Sequence, residues 1–201
     1  MAAWSGLRPL VSNPKAADTA KLSRDHFVQV SPSGLISITG GKWTTYRKMA
    51  LDTVNEAIRV GGLKAEPSRT ETRPLIGGAK YRHQMIDELE KKEGFPRTVA
   101  HHLARSYGDR AERIVRLARE GYGERLSRDH PYLEAEVIYA VREEGAQTAV
   151  DVLARRMRLA FLDHAETRSA LPRVIDLMGR ELGWNEARQR EEVNQVLAYL
   201  N

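Results

Sequence analysis

From Tyr81 to Asn201 the apolar residues recur at helical spacing in one segment after another, separated by short polar breaks. That succession leaves no room for a sheet and commits the larger part of the chain to an all-α domain. "PRTVAHHLARSYG" opens with Pro96, which a first helical turn tolerates, and closes on a glycine cap. "DRAERIVRLAREG" repeats the scheme, with Asp109 as the expected N-cap and Gly121 as the stop. "HPYLEAEVIYAVREEG" sets Leu133, Val137 and Val141 on one stripe, and "TAVDVLARRMRLAFLD" does the same with Val150, Leu153, Met157 and Phe161. "RHQMIDELEKKEG", "LPRVIDLMGRELG" and "NEARQREEVNQVLAYLN" complete the set.

Before residue 65 the punctuation is denser, with Pro9, Pro14, "SPSG" at 31–34 and glycine pairs at 40–41 and 61–62. "HFVQV" (26–30) and "LISITG" (35–40) alternate with period two, and "SPSG" between them reads as a hairpin turn. A helix fits 44–60. The expected fold class is therefore mainly α: an all-α domain over 65–201, preceded over 1–64 by a small α+β remnant of two short strands and a helix. Two strands do not make a sheet that stands alone, so this first part is expected to be the tail of a larger domain.

Composition narrows the function classes. The 201 residues are 41% apolar, enough for a core, and 29% charged. Their longest apolar runs fall far short of the roughly 20 residues that span a bilayer. No cysteine is present, which excludes a disulfide framework, a thiolate nucleophile and a zinc–cysteine site. The net charge of +5 is spread among interleaved Arg and Glu, the pattern of a solvated helical face, and nucleic acid is not an expected partner. An anionic membrane surface or a phosphate-bearing small molecule is the other use for such an excess.

The chemistry-bearing residues cluster early. "GGKWTTYRKM" (40–49) lacks the glycine and the hydroxyl that a phosphate-binding P-loop needs, and no GxGxxG occurs anywhere. Gly40 and Gly41 nevertheless let the backbone approach a flat ligand. The amides of Trp43, Thr44 and Thr45 would head a helix dipole, where an acceptor gaining negative charge is stabilised. Lys42 adds a mobile cation. From spacing alone, a plain strand-to-helix turn with threonine caps is favoured over this ligand contact. Arg8, held extended by Pro9, and Arg24 at the first strand's entrance are the other phosphate-recognising candidates, each more ordinary as a surface ion pair. His101 and His102 are adjacent and diverge on a helix, the other histidines are scattered, and no metal is expected. Arg155, Arg156 and Arg158 read as stems lying over the core.

Taken in order, "SGLRPLV", "SRDH", "GLISITGGKWTTYRKMA", "YLEAEVIYAVREE", "TAVDVLARRMRLAFLD" and "LPRVIDLMGRELGW" resemble the C-terminal part of FAD-dependent glycerol-3-phosphate dehydrogenase. The related glycerol-3-phosphate oxidases share the architecture. The resemblance implies oxidation of sn-glycerol 3-phosphate to dihydroxyacetone phosphate, with hydride passing to the flavin and electrons to quinone. It implies substrate binding at Arg8, Arg24 and Lys42, and FAD contact at Gly40, Gly41, Lys42, Trp43 and Thr44, with no catalytic residue assigned in this chain. It further implies an enzyme peripheral to the membrane on its cytoplasmic side, with a homodimer as a further expectation. The dinucleotide-binding glycines would lie upstream, so this chain alone is expected to be soluble and to neither hold FAD nor turn over. The competing class is a helical module that docks a protein, an anionic membrane surface or nucleic acid.

Overall fold

A computed structural model describes residues 5–6 and 25–200. By its packing the chain divides between Arg73 and Pro74. In the first unit, β1 (His26–Val30) and β2 (Ile36–Gly40) form an antiparallel hairpin, with Val28 opposite Ile38 and His26 opposite Gly40. The turn closes as predicted, with the Gly34 amide donating to the Ser31 carbonyl at 2.9 Å. Inward residues of the hairpin are half-buried and outward ones exposed, as period-two alternation requires. Helix α1 (Tyr46–Gly61) packs on this hairpin and ends at Gly62, whose φ of 58° is the left-handed cap that glycine accepts most readily. No described residue of this unit, 25–73, is buried.

The α1 boundary differs slightly from the expected 44–60. Trp43–Thr45 form a tighter 3-10 turn before the α-helix begins. The Thr45 hydroxyl causes this: it accepts from the Lys42 amide at 3.1 Å and donates to the Lys42 carbonyl at 2.9 Å.

The second unit is helical. Its elements are α2 (Met85–Glu93), α3 (Arg97–Tyr107), α4 (Ala111–Leu117), α5 (Glu134–Glu144), α6 (Leu159–Leu162), α7 (His164–Leu182) and α8 (Glu186–Tyr199). Helix α5 is the hub. Every residue from Glu134 to Ala140 is buried, because the helix presents opposite faces to two cores. Leu133, Ala135 and Tyr139 join α2, α3 and α4, while Val137, Ile138 and Ala140 join α6, α7 and α8.

The structure departs from three sequence expectations. Asp109 is not an N-cap: its carboxylate accepts from the Lys80 amide and its own amide donates to the Gly77 carbonyl, both at 2.9 Å. Helix α7 begins seven residues before Leu171, at His164, because Asp163 accepts from the amides of Ala165 and Glu166 and Pro172 is carried inside the helix. The segment 148–163 is not one helix. Asp151–Arg156 form a π-helical turn, and Arg158 follows at φ 65°, the one described non-glycine residue with positive φ. Such a residue costs roughly 1–2 kcal/mol in the left-handed region. The stripe survives the break all the same, with Leu153 and Met157 buried.

Candidate functional site

Gly40 and Gly41 both sit at φ 75°, so the hairpin's exit bends through a conformation that side chains resist. At Gly41 the need is internal. A Cβ there would lie 2.6 Å from Met49 Sδ and 3.3 Å from His26 Cβ. Lys42 is extended and exposed, and its amide and carbonyl are both engaged by Thr45. The Thr45 amide is therefore spent on the turn, at 2.9 Å from the Lys42 carbonyl, which leaves Trp43 and Thr44 to head it. Trp43 is 90% exposed, and its ring lies 6.2 Å from that of Tyr46. The two rings, tilted 33° to one another, stand uncovered after the glycine pair and Lys42.

Beneath the turn lies a cluster that sequence reasoning missed. His26 Nε2 is 2.9 Å from Asp52 Oδ2, and Lys48 Nζ is 2.8 Å from Asp52 Oδ1. The hydrogen bond from Lys48, aided by that from His26, holds the Asp52 carboxyl below its ordinary range. His26 faces Gly40 across the ladder, so this tie joins α1 to the strand residue from which the turn departs. No local motif announces a pair 26 residues apart in sequence. A His at a strand start and an Asp on an inward helix face were the available signal.

Of the sequence-derived candidates, Gly40, Gly41, Lys42, Trp43 and Thr44 come together on one turn. Arg8 and Arg24 lie outside the described residues. Among the described residues no group of three or more His, Asp and Glu side chains is placed to hold a metal ion. None of their helices is long and apolar enough to cross a membrane.

The helical unit carries buried charge of its own. Glu134 is gripped by Arg173 through two hydrogen bonds of 2.6 and 2.7 Å. That pairing holds the Arg173 guanidinium above its ordinary pKa. Glu192, fully buried, accepts from the Ala149 amide at 2.7 Å, and its second oxygen is ion-paired to Arg188 at 2.5 Å. Each ties distant elements, and each of these two buried carboxylates has a guanidinium partner, which is the condition for such groups to persist.

Comparison with known proteins places this architecture. The chain is 48% identical over 206 residues to the mitochondrial glycerol-3-phosphate dehydrogenase of Rattus norvegicus, covering 100% of this chain and 28% of that protein. The corresponding protein of Homo sapiens is 47% identical with the same coverage. A probable mitochondrial glycerol-3-phosphate dehydrogenase of Dictyostelium discoideum is 44% identical over 208 residues, covering all of this chain and 33% of its own length. The chain thus spans about a third or less of the curated relatives it matches. Among solved structures, the glycerol-3-phosphate dehydrogenase from Bacillus halodurans complexed with FAD superposes with a TM-score of 0.71. It is 29% identical, over 87% of this chain and 36% of that one. The family described as the C-terminal domain of alpha-glycerophosphate oxidase matches residues 68–189, and the chain belongs to that family.

Proposed function

We propose that this chain is the C-terminal part of an FAD-dependent glycerol-3-phosphate dehydrogenase, and that Gly40–Thr44 is its contact with the flavin ring. The observation that carries this is the exposed turn itself. Two glycines at φ 75° precede a helix start flanked by an uncovered tryptophan, in a chain matched from end to end by glycerol-3-phosphate dehydrogenases. Gly40 brings backbone rather than side chain to a flat ring. The Trp43 and Thr44 amides stand at the positive end of the helix, where an oxygen that gains negative charge is favoured. FAD, when bound, supplies the acceptor for the hydride from the substrate's C2. Lys42, whose ammonium has no partner among the described residues, is placed to meet the phosphate of glycerol 3-phosphate, a role shared with Arg8 and Arg24.

The coreless unit 25–73 supports its membership of a larger flavin and substrate domain. Its apolar side chains, Leu35 and Trp43 among them, need a cover that a hairpin and one helix do not provide. By itself the chain then holds part of an active site and neither retains FAD nor turns over. Electron transfer to quinone, a peripheral membrane position and a homodimer belong to the same reading and rest on the sequence resemblance alone.

Substitution in the intact polypeptide tests the assignment. Lys42→Met is expected to raise the KM for glycerol 3-phosphate about tenfold or more, as loss of a charge-assisted hydrogen bond requires. Reduction of the flavin by substrate should slow as well. A wild-type KM would remove Lys42 from the site.

A further inference from the structure

We infer that the helical unit carries a binding cleft for a small phosphate monoester, between α3, the C-terminal end of α5 and the segment Arg155–Leu162. This goes beyond the flavoenzyme reading and does not rest on it. The cleft encloses about 550 Å³, within the roughly 300–1,000 Å³ typical of small-molecule sites.

Three arginines line it, on the π-helical turn and at the left-handed residue after it. Arg155 gives one nitrogen to Asp151 at 2.5 Å, and Arg156 donates to the Glu144 carbonyl at 2.8 Å, so both keep free donors. The Arg158 carbonyl accepts from the Phe161 amide at 3.0 Å, while its guanidinium makes no hydrogen bond or ion pair among the described residues. The backbone at 158 calls for glycine, and the sequence supplies arginine. An outlier of this kind points to a demand for the side chain. Planar forks on the lining of one cleft suit the several oxygens of a phosphate group.

The facing rim is polar and firmly held. Ser106 Oγ lies 3.2 Å from His102 Nδ1, and His102 Nε2 is fixed from behind, 2.7 Å from the buried Glu136. Phe161 and the half-exposed Leu162 form an apolar wall, which suits the organic part of an ester better than free phosphate. The one carboxyl in the lining beside the arginines, Glu144, is pushed up from its ordinary pKa by burial, against the opposing pull of Arg156. Its carboxylate also lies 3.5 Å from Arg156 Nε, so the acidic group of the lining is already paired to one of the arginines.

The test titrates the intact polypeptide with phenyl phosphate by calorimetry and maps arginine modification by phenylglyoxal with mass spectrometry. Saturable binding is expected, with phenyl phosphate shielding Arg155 and Arg158 but not Arg190 on α8. Arg158→Gly is the variant of choice, because glycine accepts that backbone conformation and the fold is kept. It should raise the Kd about tenfold or more. Absence of saturable binding, or an unchanged Kd in Arg158→Gly, would overturn the site. Equal shielding at Arg190 would reveal an adventitious ion only. Vesicles of phosphatidylcholine with and without phosphatidic acid separate the sources. Shielding of Arg158 by phosphatidic acid but not by phenyl phosphate would replace the small-molecule cleft with a headgroup contact. Because Lys42→Met leaves Arg158 untouched, failure here and failure of the flavoenzyme reading are read separately.

Discussion

At Glu136, three donors converge on a carboxylate that is 1% exposed. The Leu133 amide reaches one oxygen at 2.8 Å, and the Tyr107 hydroxyl and His102 Nε2 share the other at 2.7 Å. This single residue starts α5, anchors the end of α3 and backs the cleft. Burial first, and the neighbouring Glu136 second, push the Tyr107 hydroxyl well above its ordinary pKa. Above about pH 10 the unfolded chain releases this proton while the folded one keeps it. Stability therefore falls as pH rises from there toward the folded value. Tyr132 and Tyr139, both raised mainly by burial, act in the same direction. The urea midpoint should drop between about pH 9 and about pH 11. Tyr107→Phe should flatten that drop while costing roughly 1 kcal/mol at neutral pH, since Glu136 loses one donor. An alkaline slope identical in the variant would assign the titration elsewhere.

Among elements, one close contact joins the segment before α2 to the corner between α3 and α4. A Cβ on Gly108 would lie 1.9 Å from the Gly77 carbonyl oxygen, and φ is already 56°. Gly108→Ala is expected to cost at least about 2 kcal/mol in urea unfolding. Gly94→Ala, at φ 74° in open space, should lose only about 1 kcal/mol. Equal losses would mean that the corner yields. The same corner shows what sequence can tell. Helix periods, glycine stops and the hairpin were legible because each is set within a few neighbouring residues. The role of Asp109 was not, because its partners Gly77 and Lys80 arrive from another segment and outbid the local cap. The break at Arg158 stayed hidden for the same reason: Leu153 and Met157 keep their stripe while the backbone between stripe and rim departs from the α-helix. Of the candidate site, Gly40–Thr44 could be read as one contiguous turn. The His26–Asp52 tie beneath it and the arginine cleft could not, since both depend on residues brought together by packing.

For the whole molecule, the division at Arg73 separates two kinds of chain. Residues 74–200 bury two apolar clusters that share α5 and pair their buried carboxylates, Glu134 and Glu192, with Arg173 and Arg188. Those are the contents of a unit that folds by itself. Residues 25–73 bury nothing fully, and a hairpin with one helix is marginal in water. A polypeptide of residues 74–201 should therefore show one cooperative urea transition near the midpoint of the full chain's helical signal, and a polypeptide of residues 1–73 should show none. If 74–201 unfolded without cooperativity, α5 and its two cores would need the preceding segment, and the independence inferred from burial would be wrong. If 1–73 folded alone, its exposed Trp43 and Leu35 would no longer call for a larger domain to cover them. That outcome would remove the physical support for placing this turn against a flavin.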